Sequence, residues 1–293
     1  MSAVAGAIER ESPTAWRKPW VGLVTFGVAF LGLPLGHSIY AIIRDVFGPA
    51  QFVAASVLGV IGMLLTWAGI KRSEHSATWL GYLGGFFIWI GFFEFYFEFY
   101  AELFAVPTSR VGGVPMGGSS GMLQATLPIM LAMFLLYGLF NRETKCNLMR
   151  WFHRNAHFTP GNPTPALNRN FARITAIETI FVTWAIYLFW LYMLWFGVPS
   201  IPLYVAWVAF LVWTVYLMNR LVKMTRVAAA LRYAIPVGNI FWGIVEMPSH
   251  MPNTYPEWWL KPAKYPLFFA VVLGLFTAGI IAIARAKRTP EPA

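Results

Sequence analysis

Residues 79–104 read WLGYLGGFFIWIGFFEFYFEFYAELF. A run of this length and apolarity spans a hydrocarbon core of roughly 30 Å as a helix, yet it carries Glu94, Glu98 and Glu102. At spacings of four and eight residues the three carboxylates fall within roughly 80° on one helical face and span about 12 Å of its axis. A lipid-facing carboxylate is costly, so that face is expected to look into a protein interior or a wet cavity.

The rest of the chain has the same character. Of 293 residues, 58% are hydrophobic and only 12% are charged, whereas a soluble domain devotes about a quarter of its residues to charge. Apolar runs of spanning length occur at Trp20 to Ile43, Phe52 to Ile70, Trp79 to Phe104, Met122 to Phe140, Ile174 to Phe196, Ile201 to Met218, Val227 to Met247 and Tyr265 to Ala284. The expected fold is therefore an all-α, polytopic bundle of about eight transmembrane helices. Residues 20–284 are read as one transmembrane domain, 1–19 as a polar N-terminal segment and 285–293 as a tail. Nineteen mostly polar residues before a full-length apolar run do not fit a cleaved signal peptide.

The formal charge of +10 sets topology and makes no nucleic-acid surface. Counted outside the spans, 17 Lys and Arg fall on one side and four on the other, with Arg232 inside the seventh span. By the positive-inside rule both termini are expected in the cytoplasm, and the setting is read as a bacterial inner membrane. The expected partners are lipid and other subunits of a membrane complex. Loop 142–172 is then cytoplasmic, while loops 105–121 and 248–263 are exoplasmic. Within loop 142–172, Lys145 to Phe158 is amphipathic if helical, with Arg150, His153, Arg154 and His157 opposite Leu148, Met149, Phe152 and Ala156, as on a membrane-surface helix. The glycine-rich stretch 111–121 lacks the Gly-Lys-Ser/Thr ending of a phosphate loop and reads as a flexible loop or lid. Trp258 and Trp259 are expected as interfacial anchors.

Orientation places the intramembrane polar residues by depth. His37, which follows Pro34 and Gly36, shares an exoplasmic layer with Glu94, Glu98, Glu102, Glu246 and His250. Carboxylates and imidazoles together suit a transition metal such as iron or copper, and equally suit proton handling or a quinol hydroxyl. His37, Glu94, Glu98, Glu246 and His250 are the candidate metal ligands, with Glu94 and Glu98 the candidate catalytic groups. Glu246 and His250 are four apart with Pro248 between them, which departs from the Glu-x-x-His pattern of di-iron bundles. Arg232, Asn239 and Glu246 recur every seven residues and so line one helical face. Asn239 is a candidate pathway residue there. Pro236 interrupts the backbone ladder midway. Matching depth makes Glu178 the expected ion-pair partner of Arg232.

Three functions fit these residues. The first is a membrane oxidoreductase, or the membrane subunit of a redox complex, using a metal or quinol. The second is a proton- or cation-coupled transporter using the same glutamates, and the third is an assembly scaffold. One cysteine, Cys146, excludes an internal disulfide framework, and the single aspartate, Asp45, excludes paired-aspartate chemistry.

Overall fold

The computed structural model describes residues 18–111, 114–141, 143–144, 147–157, 169–251 and 254–285. Helix α1 (Trp20–Phe47) leads through a one-turn 3₁₀ segment, Gly48–Ala50, into α2 (Gln51–Ala68). Gly48 closes α1 at φ +48°, a left-handed conformation that side chains with a Cβ rarely adopt. Helix α3 (Glu74–Ile88) continues through a π-helical segment, Trp89–Glu94, into α4 (Phe95–Leu103). A two-stranded hairpin follows, β1 (Ser109–Val111) with β2 (Val114–Met116), pairing Ser109 opposite Met116. The glycine-rich stretch expected as a loop or lid is thus part hairpin and part helix. The remaining helices are α5 (Gly118–Ala125), α6 (Leu127–Phe140), α7 (Asn147–Asn155), α8 (Phe171–Met193), α9 (Ile201–Leu221), α10 (Val227–Glu246) and α11 (Pro266–Arg285).

Packing against α3 fixes the direction of its neighbours. Gly32 of α1 faces Tyr82 and Gly36 faces Phe86, so α1 climbs parallel to α3. Gly62 of α2 lies on Gly84, and Gly91 lies on Ala55, so α2 descends. Gly81 meets Ala172 and Gly85 meets Ala176, so α8 climbs. Gly238 of α10 rests on Ala29, and α10 climbs beside α1. Helices α6, α9 and α11 descend, as shown by Phe134 on Phe181 with Thr126 on Trp184, by Trp207 on Ile244 with Leu221 on Gly22, and by Phe276 near Gly32 with Gly279 on Val28. This alternation gathers Lys71, Arg72, Arg173, Arg220 and Arg226 at one end of the bundle, hereafter the basic end.

Six helical runs among the described residues are long and apolar enough to cross a membrane, or seven if α5 and α6 form one span. The first of these runs, Trp20–Ala68, contains both α1 and α2, which point in opposite directions. The α5–α6 pair bends by 43° where Pro128 removes a backbone donor. There Thr126 Oγ1 donates to the Leu123 carbonyl at 2.6 Å and accepts from Trp184 Nε1 at 3.2 Å.

Helix α10 is the centre: 72% of its apolar window is buried, against 6% for α11 and 17% for α9. Helices whose side chains face outward all round need an apolar solvent, whereas α10 is solvated by protein on every face. Its seven-residue stripe therefore lies inside, and Asn239 Nδ2 donates to the Ile235 carbonyl at 3.0 Å beside Pro236.

The expected ion pair of Arg232 with Glu178 is replaced by another. Arg232 pairs with Glu74, donates to Thr78 Oγ1 at 2.7 Å, and stacks over the Phe171 ring at 4.8 Å. Glu178 accepts from Thr144 Oγ1 at 2.7 Å. The reason is that α3 begins at Glu74, five residues before Trp79, which brings a carboxylate into the bundle that hydropathy assigns to a loop. The amphipathic loop helix also differs in register. Met149 is buried against Gly138 and His153 Nε2 contacts the Leu139 carbonyl at 3.0 Å, while Leu148 and Trp151 are exposed. Lys145 and Phe158, the bounds expected for that helix, lie outside the described residues.

Candidate functional site: a buried imidazole between two carboxylates

Three of the candidate residues meet near the end opposite the basic one. His37 Nδ1 lies 3.6 Å from Glu94 Oε1, and His37 Nε2 lies 3.7 Å from Glu246 Oε1. Their side chains are 15%, 17% and 14% exposed. Each comes from a different element, and each element is shaped locally to deliver it. A Cβ on Gly36 would stand only 3.0 Å from the Phe86 ring, so glycine there lets α1 sit close enough for His37 to reach across. The π-helical segment ends on Glu94, and such one-turn widenings re-aim side chains relative to an α-helical ladder. Gly91, in the middle of that segment, lies directly on the Ala55 carbonyl and the Gly59 amide. Glu246 is the last residue of α10, before a 3₁₀ turn, Met247–His250, that begins with Pro248 in its first positions.

The surrounding wall is aromatic. Trp242 stacks on His37 with centroids 5.7 Å apart and planes at 29°, and Tyr187 lies 6.5 Å away. Phe86, Trp89, Trp190 and Asn239 share the lining of one cavity with the three titratable residues. It offers about 50 Å³ to the centres of water-sized molecules, where roughly 10–15 Å³ suffices for one water. The Trp242 indole lies within hydrogen-bonding reach of Glu246, and Trp190 Nε1 is buried close against Gly243.

The five-residue metal set does not come together. Glu98 accepts a hydrogen bond from Tyr40, and His250 Nδ1 lies 4.0 Å from Glu257 Oε1. The cause is the parallel climb of α1 beside residues 89–103: one turn beyond Glu94, the next carboxylate meets the next turn of α1. His250 is carried away because Pro248 ends the helix. Among the described residues no group of three or more His, Cys, Asp or Glu is arranged to hold a metal ion. His37 in particular directs its two ring nitrogens to two different carboxylates, and one ion is never bound by both nitrogens of a single imidazole.

The lining from α8, Tyr187 and Trp190, was not singled out from the sequence, nor was Trp242. Nothing in the local pattern distinguishes them among 14 Trp and 12 Tyr. Trp259, expected as an interfacial anchor, is wholly buried instead, its carbonyl accepting from Ser38 Oγ at 2.9 Å and its ring edge-on to Trp242 at 4.9 Å. No protein-family model, curated protein or solved structure matches the chain. Function must therefore be argued from the site.

Proposed function

We propose that this chain is a membrane transporter that conducts protons, with Glu94, His37 and Glu246 forming the relay. In this reading the bundle crosses a bacterial inner membrane eight times, α1 and α2 being separate spans and α5–α6 one, with the basic end and both termini in the cytoplasm. The positive-inside distribution of Lys and Arg supports that orientation.

The observation that carries the proposal is the placement of His37 between carboxylates from two other helices, one at each ring nitrogen. An imidazole accepts a proton on one nitrogen and releases one from the other, and buried Asp/Glu/His chains are the usual relay in membrane pumps and transporters. The separations of 3.6 and 3.7 Å exceed a direct hydrogen bond, and a bridging water closes such a gap. The cavity has room for it. Asn239 lines the same cavity on the side of the basic end and continues the path inward.

A second reading, quinol oxidation, is favoured by the aromatic wall, which suits a quinone ring. The water-sized cavity ranks it below the relay.

The test is proton flux into proteoliposomes under a potassium diffusion potential, followed with a trapped pH dye. The wild type is expected to conduct. Glu94→Gln and His37→Phe, at equal folded yield by size-exclusion chromatography, are each expected to lower the flux at least tenfold, a modest share of what a positioned proton-transfer group contributes. Wild-type vesicles that show no potential-driven flux, or variants that match wild type, overturn the relay. Tight binding of a short-chain quinone analogue, lost in Trp190→Phe, would move weight to the oxidoreductase reading.

A further inference from the structure

We infer that the relay exchanges protons with the outer side through the seam between α1 and α4, with the Tyr40–Glu98 pair as its obligatory step. The inference rests on the relay reading and adds to it a direction of access.

The seam is a ladder. His37 and Tyr40 lie one turn apart on α1, and Glu94 and Glu98 lie one turn apart on the parallel strand of helix beside it, so each α1 residue meets its own carboxylate. Tyr40 is held in place by the Phe95 ring, 4.5 Å away, and by the Arg44 guanidinium, which stands 5.8 Å from its ring. Its hydroxyl donates to Glu98. A further turn outward, Glu102 is exposed and lies within electrostatic reach of Glu98. A hydroxyl that donates to a carboxylate at one turn, and an imidazole that meets the next carboxylate at the turn below, are successive carriers with a surface group at the outer end. The far flank of α4 is closed against α2, where Ser56 Oγ and Tyr96 Oη lie 3.0 Å apart.

Beside Glu246 the outer loop folds down on the bundle, with Glu257, 31% exposed, within electrostatic reach of Glu246. Trp259 is wholly buried, pinned through its carbonyl by Ser38, the residue after His37, and lies edge-on to the same Trp242 that stacks on His37. Tyr255 donates to the Val245 carbonyl, and His250 faces Glu257 at 4.0 Å, so the outer loop is tied to the end of α10 by its own side chains.

The test uses chemical restoration of the carboxylate. In a Cys146→Ser background, Glu98→Cys is expected to lower proton flux at least tenfold. Iodoacetate added to the outer side converts the introduced thiol to a carboxymethyl thioether, displacing iodide, and is expected to return at least half the flux. Iodoacetamide, which leaves a neutral group, is expected to return none. Tyr40→Phe keeps the ring and removes the donor, and is expected to lower flux about fivefold. If Glu98→Cys conducts like its parent while Glu94→Gln does not, the seam is wrong and the relay stands; if Glu94→Gln conducts like wild type, the relay itself fails. Failure of external iodoacetate to restore a folded Glu98→Cys protein also overturns the seam. Should Glu98→Cys not fold, unchanged flux in Tyr40→Phe overturns it.

Discussion

Glu74→Ala is expected to destabilise the bundle by about 3–5 kcal/mol, the usual penalty for removing one partner of a buried ion pair. Arg232 and Glu74 are only 10% and 13% exposed, and the guanidinium donates from Nη1 to Thr78 Oγ1 and sets its flat face on Phe171. Without Glu74 the charge stays in the bundle with a hydroxyl and an aromatic ring for company. Glu74→Gln keeps an acceptor and is expected to lose less. The double variant Glu74→Leu with Arg232→Met is expected to recover most of the loss, because two apolar side chains remove the charge that was stranded. Unfolding in a sodium dodecyl sulfate titration reads all three. A Glu74→Ala midpoint unchanged from wild type would mean that water reaches Arg232 and that the pair does not hold α3 to α10.

Gly91→Ala is expected to cost about 3 kcal/mol, the upper end for overpacking, and to lower proton flux together with stability. An added Cβ would sit 2.4 Å from the Ala55 carbonyl oxygen and 2.5 Å from the Gly59 amide nitrogen. Both obstacles are backbone atoms of α2, so no rotamer change relieves them. Helix α2 must withdraw from the π-helical segment, and Glu94, at the end of that segment, moves with it away from His37. Gly27→Ala is the matched control. Nothing lies within 4 Å of a Cβ there, and alanine is the better helix former by roughly 1 kcal/mol. It is expected to be neutral or slightly stabilising, with flux unchanged. If Gly91→Ala behaves like Gly27→Ala, the close approach of α2 does not position Glu94.

These two cases show how far a linear reading of residues reaches. The inward stripe of α10 was legible because Arg232, Asn239 and Glu246 repeat at seven residues, and a helix of nearly constant period must put them on one face. The meeting of His37 with Glu94 and Glu246 was legible only as a shared depth. Which carboxylate His37 reaches depends on the lateral order of helices and on the phase of residues 89–94. A π-helical turn shifts that phase and carries no sequence mark of its own. The same blindness explains Arg232: with Gly81 on Ala172 and Gly85 on Ala176, Glu178 stands level with Phe87, about 20 Å along the bundle from Glu74, and Glu74 is the partner because α3 begins five residues before its apolar run. Trp259 failed for a different reason, since an indole near a span end satisfies the interfacial pattern whether it faces headgroups or folds inward to meet Ser38.

Apolar length, helical period and the placement of lysine and arginine dictate an all-α bundle with apolar spanning helices and buried carboxylates, because transfer from water and backbone hydrogen bonding act on each segment separately. The pairing of His37 with two glutamates, the diversion of Glu98 to Tyr40 and the burial of Trp259 against Trp242 were decided by packing. Each requires contacts within about 4 Å between residues far apart in the chain, and such contacts depend on which helices are neighbours, in what phase, and how closely glycine lets them approach.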